Sequence, residues 1–211
     1  MLIVLAFGIG KGFNLVNLLL TLVVLIWGIR LTTNWAYTFY SFEYEDWRYR
    51  MLREKTKKFY PLINLLGIHM FPTIVVYLCI LPVTFTFEYV CTLNFLTILG
   101  LIISVFAFSI QGIADVQMHK FRKTKTKTLI RDGLWKYSRH PNYLGEILMW
   151  WGVGIAVVSV LPQMFYLLLG AIVNTLMFLF VSIPMAEKRQ ARKEGYEQYK
   201  KETRMLLPIR K

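Results

Sequence analysis

The groups in this chain best suited to chemistry lie in residues 139–146, which read Arg-His-Pro-Asn-Tyr-Leu-Gly-Glu and lead directly into an apolar run. Pro141 suits the first turn of a helix, because its missing N–H would have no partner there. Asn142 and Glu146 are four residues apart and therefore share one helical face. Inserting a charged side chain such as Asp or Arg at mid-membrane costs about 2.5–3.5 kcal/mol on a permissive scale. We therefore predict that Glu146 has a function.

A second set of polar residues lies on the helix predicted before that segment. Gln111, Asp115, His119 and Arg122 recur at spacings of four, four and three. These spacings place the four side chains on one helical face, which we expect to form a wall of a polar cavity facing the cytoplasm. The alternative is a helix end that surfaces among lipid headgroups, with Asp115 paired to a nearby cation.

The composition indicates an integral membrane protein. Of the 211 residues 56% are hydrophobic, and a mean hydropathy of +0.47 is too high for a soluble domain of this length. Five apolar runs recur, several of them near the roughly 20 residues that cross a bilayer as a helix. We expect an all-α, polytopic transmembrane helix bundle that forms a single domain over residues 1–211. Residues 1–9 are too short to cross alone, so we expect about five spans, with six as the alternative. The five runs are residues 15–28, 71–85, 93–113, 147–160 and 165–183.

The net charge of +13 follows membrane topology rather than nucleic-acid binding. Apart from Lys11, every Lys and Arg lies in residues 30–58, 120–139 or 188–211, and the intervening turns carry none. By the positive-inside rule these basic stretches face the cytoplasm, in a bacterial inner membrane or the endoplasmic reticulum. We expect no nucleic-acid partner. The expected partners are the lipid bilayer and a lipophilic small-molecule substrate, with the C-terminal residues forming an amphipathic segment at the interface.

Two familiar kinds of site are not indicated. The chain has no Cys-x-x-Cys pair and no His-rich metal-binding spacing, so we expect no metal site. No Gly-x-Gly-x-x-Gly motif follows a predicted strand, which excludes a Rossmann domain. A nucleotide cofactor would therefore have to bind within the helix bundle.

The motifs resemble those of one clan of membrane enzymes, namely steroid 5α-reductases, sterol C14 reductases and isoprenylcysteine carboxyl methyltransferases. The chain is most similar to the DUF1295 branch of that clan, over nearly its whole length after residue 22. The residues that carry the resemblance are residues 30–32, Asn34 and Trp35; residues 45–49; residues 67–69, Pro72 and Thr73; Asp115, Gln117 and Phe121; residues 133–146; and Tyr196, Tyr199, Thr203 and Pro208.

The reductase resemblance implies that NADPH binds inside the bundle and reduces a C=C bond conjugated to a carbonyl, in a steroid-like or other lipid substrate. The catalytic pair of those enzymes lies on earlier helices, and the candidates here are Tyr37, Tyr40 and Glu43. Guanidinium groups near a helix start also suit the cofactor's phosphates. The candidate cofactor-binding residues are Gln111, Asp115, Arg122, Arg139, His140, Asn142, Tyr143 and Glu146.

The methyltransferase resemblance implies S-adenosylmethionine as the cofactor instead. It is carried by residues 139–141, Tyr143 and Gly145, which in that family help to hold S-adenosylmethionine. The chain departs from the family after the last span, where a Glu-Glu pair is usual and Glu187 is followed by Lys188. Our leading hypothesis is the reductase. The alternatives are an S-adenosylmethionine-dependent methyltransferase of a lipidic substrate and a non-catalytic lipid-binding membrane protein.

Overall fold

The computed structural model describes residues 13–39, 41, 45–124 and 128–208. Among these residues there are no strands, and a short helix, α6 (Tyr196–Glu202), follows five long ones. The five are long and apolar enough to cross a membrane, which confirms the predicted all-α polytopic bundle. The protein is thus an integral, multi-pass membrane protein. The long helices are α1 (Leu15–Thr38), α2 (Trp47–Phe85), α3 (Phe95–Lys123), α4 (Pro141–Val160) and α5 (Pro162–Gln190).

The outer surface of the bundle is apolar, as a bilayer requires. Large side chains such as Phe95, Phe106 and Phe180 point outward and are 60–77% exposed. Hydrocarbon tails solvate such groups as well as a protein interior does. Membrane-spanning helices with this surface fit a lipid bilayer environment.

The helix ends separate into two faces of the bundle. At one face Asn94 caps α3, accepting from the backbone N–H of Thr97 at 2.9 Å, and its Nδ2 donates to the carbonyl of Ser159 at 2.9 Å. These bonds join the start of α3 to the end of α4. The other face, which we call the basic end, holds the last turns of α1, α3 and α5 and the starts of α2 and α4.

The first two helices extend further than the apolar runs predicted. The end of α1 and the start of α2 occupy part of the basic stretch over residues 30–58. The Asp46 carboxylate caps α2 by accepting from the N–H of Arg48 at 2.9 Å. Within α2 the chain bends at Lys57, where φ is +44°, and widens to a π-helix over Asn64–Met70. The bend separates the charged start of α2 from its apolar remainder.

Helices α3 and α4 pack most closely, along a line of small residues. A Cβ atom at Gly152 would lie 2.5 Å from the carbonyl oxygen of Gly100, closer than such atoms can approach. Ser104 Oγ also donates to the carbonyl of Met149 across the interface, at 3.1 Å. Small residues and interhelical hydrogen bonds are the usual means by which helices associate in lipid. This contact fixes the distance between the two helices that carry most predicted site residues.

The substitution Gly152→Ala should therefore destabilise the bundle. The added methyl group would collide with the α3 backbone, and overpacking of this kind costs about 1–3 kcal/mol. Gly28→Ala in α1 is the matched control, because nothing lies within 4 Å of a Cβ at that position. Equilibrium unfolding in mixed micelles would measure both variants. Equal stability of the two would contradict the tight α3–α4 contact.

Candidate functional site

The carboxylate of Glu146 lies inside the bundle and is surrounded by hydrogen-bond donors. Trp27 Nε1 lies 3.1 and 3.0 Å from its two oxygens. Trp150 Nε1 donates to Oε1 at 2.9 Å, and Gln111 Nε2 donates to Oε2 at 2.8 Å. Each of these groups can donate only, which suits an ionised carboxylate, because a carboxylate accepts at both oxygens. These hydrogen bonds join Glu146 to side chains of α1, α3 and α4.

Arg30 joins Glu146 to a second carboxylate. Its Nη1 lies 2.6 Å from Asp115 Oδ2, and its Nη2 lies 3.6 Å from Glu146 Oε2. Burial of charges in lipid requires such pairing, since an unpaired charge would be strongly destabilising. We call Trp27, Arg30, Gln111, Asp115, Glu146 and Trp150 the Glu146 cluster.

The Glu146 cluster brings together three of the residues that the sequence analysis proposed, Gln111, Asp115 and Glu146. It also contains three residues that were missed. Trp27 and Arg30 lie on α1, more than 80 positions before their partners, and Trp150 lies one turn after Glu146. Arg30 could have been identified from the sequence, because it is a basic residue at the end of an apolar run.

The remaining α3 and α1 candidates lie outside this cluster. Arg122 is exposed and interacts with Asp115 only through space. Tyr37 is 56% exposed, and its ring lies 4.5 Å from that of His119. Tyr40 and Glu43 fall outside the described residues. Asn142 is half-buried, and among the described residues no side-chain hydrogen bond joins it to the Glu146 cluster.

A second cluster lies at the basic end, where α4 begins. Arg139 is 7% exposed, and its Nε and Nη2 lie 2.8 and 2.6 Å from Glu187 Oε1. Its Nη1 donates to the carbonyls of Thr203 and Lys200. His140 Nε2 lies 3.4 Å from the same Glu187 oxygen. We call Arg139, His140, Tyr143 and Glu187 the Arg139 cluster.

The chain after α5 closes over the Arg139 cluster. A bridge pairs Ser138 with Arg204, and Tyr199 donates its hydroxyl hydrogen to the carbonyl of Trp135. Tyr196 and Tyr199 are both buried, while charged residues of α6 face outward. The amphipathic C-terminal segment predicted from the sequence is therefore present. Burial and the nearby Glu187 carboxylate raise the pKa of Tyr196 to about 12, so its hydroxyl stays protonated at neutral pH.

Aromatic rings and charges of both signs border this cluster. The rings of His140 and Tyr143 stack in parallel, with centroids 5.2 Å apart and planes 2° from coplanar. The start of α2 lies alongside, since the Arg189 guanidinium sits 4.7 Å above the Trp47 ring. Arg48 also lies close enough to Tyr143 to interact with it electrostatically. A pair of stacked aromatic rings bordered by charges of both signs therefore lies at the start of α4.

A surface cavity of about 290 Å³ also opens at the basic end. Its lining comes from the last turns of α3 and from the turn before α4, and none of the predicted site residues line it. The cavity therefore does not correspond to the polar cavity expected beside Gln111 and Asp115. Its lining residues are Gln117, Lys120, Phe121, Thr124, Ile130 and Asp132.

The family model described as "Protein of unknown function (DUF1295)" matches residues 1–203 of this chain. Among curated proteins, Methanethiol S-methyltransferase 1 of Bradyrhizobium diazoefficiens is 31% identical over 107 residues. The match covers 49% of this chain and 35% of that relative, so about a third of the relative's length is represented. No solved structure matches the chain.

Arg139→Ala should destabilise the protein and loosen its C-terminal segment. The substitution leaves the half-buried Glu187 carboxylate without its main partner. Breaking a fully buried pair costs about 3–5 kcal/mol, so we expect a loss of about 2–3 kcal/mol here. Arg131→Ala is the control, since that exposed side chain makes a bond to Gly195 and a 3.8 Å contact with Glu202. We expect it to cost less than about 1 kcal/mol. Equilibrium unfolding would measure the stability of both variants, and limited proteolysis would measure the exposure of the chain after α5. An equal loss of stability in the two variants would contradict the structural role of Arg139.

Stability should fall as the pH rises from about 10 to about 12. The ordinary pKa of tyrosine is about 10, whereas burial raises that of Tyr196 to about 12. In this interval the Tyr196 hydroxyl is deprotonated in the unfolded chain and still protonated in the folded chain. Rising pH therefore favours unfolding. Tyr196→Phe should flatten the decline in unfolding free energy, and Tyr166→Phe, at an exposed position, should not. If the unfolding free energy depended on pH in the same way in wild type, Tyr196→Phe and Tyr166→Phe, the decline would not come from Tyr196.

Proposed function

The chain belongs to the DUF1295 family, and we propose that it is a membrane-embedded methyltransferase that uses S-adenosylmethionine to methylate a thiol. The similarity to Methanethiol S-methyltransferase 1 supports this proposal over the reductase. The observation that carries it is the convergence of His140, Tyr143 and Glu187 at the start of α4. The sequence resemblance assigned the binding of S-adenosylmethionine to this same segment.

The chemistry of these side chains fits the cofactor. The stacked rings of His140 and Tyr143 provide a surface for adenine. The Glu187 carboxylate is suited to the ammonium group of the amino-acid part, and the nearby Arg48 to its carboxylate. One acidic residue stands where the methyltransferase family usually has two. Asp46, at the start of α2, is a second carboxylate at this face of the bundle.

The same geometry gives less support to NADPH. The reductase hypothesis used Arg122, Arg131 and Arg139 as partners for phosphate groups. Arg131 donates to the carbonyl of Gly195. Arg139 is already bonded to Glu187 and to two carbonyls of the C-terminal segment. Arg122 lies on α3 beside the other cluster. Among the residues that the reductase hypothesis used, no two free guanidinium groups meet at the start of α4, where a pyrophosphate would need them.

When bound, S-adenosylmethionine supplies a methyl group on a positively charged sulfur. The methyl group would pass to the sulfur of the acceptor thiol, whose proton would leave to bulk solvent. The electron pair of the broken C–S bond would stay on the departing neutral thioether, so the transfer would need no oxidant or reductant. His140, Tyr143 and Glu187 bind and orient the reactants, and the C-terminal segment excludes water from them. In this proposal the basic end faces the cytoplasm, and the thiol is small or lipid-borne and reaches the site through the bilayer.

Purified full-length protein should bind S-adenosylmethionine and transfer its methyl group to a thiol. His140→Ala and Tyr143→Ala should each weaken S-adenosylmethionine binding by about tenfold or more, because each removes one of the two stacked rings. Calorimetry would measure affinity, and a labelled methyl group would measure transfer. Tyr137→Ala, at an exposed ring outside the cluster, is the control.

Titrations with NADPH in parallel distinguish the competing hypotheses. A rise in melting temperature with NADPH and none with S-adenosylmethionine would support the reductase. Binding of neither cofactor by folded protein would support a non-catalytic lipid-binding role. Either outcome would contradict the methyltransferase proposal.

A further inference from the structure

We propose that the surface cavity at the basic end binds the headgroup of a phospholipid that carries both a phosphate and an ammonium group. Its volume of about 290 Å³ lies at the lower end of the roughly 300–1,000 Å³ that ligand pockets usually span. That space admits a headgroup but not a whole lipid. The lining residues belong to neither the Glu146 cluster nor the Arg139 cluster, so this site is distinct from the proposed cofactor site.

The cavity forms where the turn before α4 packs against the last turns of α3. The backbone N–H of Leu134 donates to Gln117 Oε1 at 2.9 Å, and Trp135 Nε1 donates to the carbonyl of Ala114 at 3.2 Å. Gly133 has a φ of +58°, and a Cβ atom there would collide with the Gln117 amide. The turn is therefore held tightly against α3, which gives the cavity a defined wall.

Two opposite charges line the cavity. Lys120 lies on α3 and Asp132 on the turn, and both side chains are exposed. Neither has an ion-pair partner within residues 13–39, 41, 45–124 and 128–208. A phosphate is attracted to the lysine ammonium group, and a primary ammonium group donates hydrogen bonds to the carboxylate. The two side chains are therefore complementary to a zwitterion, whereas a ligand of one charge sign would satisfy only one of them.

The outward surface of α3 leads to this cavity. Four large side chains on it are 50–60% exposed, namely Ile102, Phe106, Ile113 and Val116. Their spacings of four, seven and three, followed by four to Lys120, place all five side chains on one helical face. From Ile102 to Val116 this face is about 21 Å long, more than half of the roughly 30 Å hydrocarbon core. Acyl chains of one leaflet can therefore lie along it while the headgroup occupies the cavity.

The apolar part of the lining favours a lipid of the bilayer over a water-soluble zwitterion. Phe121 is half-buried and Ile130 is buried, and both pack in a small apolar cluster with Ala114 and Trp135. The first carbons of a lipid can cover Phe121 and the outward surface of α3 together, which removes apolar area from water. A bound lipid thereby joins α3 to the turn that precedes Arg139. We expect its binding to stabilise that turn.

The test compares two lipids with the same acyl chains, measured by native mass spectrometry of the full-length protein in detergent. Phosphatidylethanolamine carries the phosphate and the ammonium group, and phosphatidylglycerol carries the phosphate alone. Wild type should bind phosphatidylethanolamine more tightly. Asp132→Asn should weaken the binding of phosphatidylethanolamine by about fivefold and should not weaken that of phosphatidylglycerol. Lys120→Gln should weaken the binding of both lipids by about fivefold, because both carry the phosphate.

Lys201→Gln and Glu197→Gln are the matched controls. Each removes an exposed charge of α6, outside the cavity, and should leave both affinities unchanged. Equal affinity of wild type for the two lipids would overturn the proposal, because the basic end would then attract only negative charge. Unchanged binding of phosphatidylethanolamine in Asp132→Asn would overturn it as well. Displacement of the lipid by an equal concentration of water-soluble phosphoethanolamine would show that the acyl chains contribute nothing, and would overturn a lipid as the occupant.

Discussion

The carboxylate of Glu146 is buried in a bundle that the bilayer surrounds, and the arrangement of the helices follows from the need to stabilise it. Water cannot supply the missing hydrogen bonds, so protein groups must do so. They come from α1, α3 and α4, through Trp27, Gln111 and Trp150. Any relative shift of these helices would lengthen one of the bonds. The cluster therefore fixes the position of α1 against the tightly packed α3–α4 pair.

Helix α4 connects this interior cluster to the basic end. Arg139, directly before the helix, bonds to Glu187 at the end of α5 and to carbonyls of the C-terminal segment. One short stretch of sequence thus contributes to both clusters, within about two helical turns. The stacked rings of His140 and Tyr143 lie within this stretch.

The sequence predicted the helices and part of the interior cluster, for identifiable reasons. Spacing along a helix is local information, so Gln111 and Asp115 could be assigned to one face, and Glu146 to the interior. The partners Trp27 and Arg30 could not be found this way, since they meet Glu146 across more than 110 residues of chain. The structural role of Arg139 could not be predicted from the sequence either. Its charge suggested a phosphate, whereas the folded chain uses it to hold Glu187 and the C-terminal segment.

The distribution of charge also bears on which cofactor this bundle can accept. A dinucleotide brings a pyrophosphate, which requires cations that are not already paired. Near the start of α4, Arg139 is paired with Glu187, and further along the helix Arg30 is shared between Asp115 and Glu146. Neither of these two guanidinium groups is free to bind a polyanion. Related helix bundles could thus host different cofactors through the pairing of a few buried charges, without any change in the helices themselves.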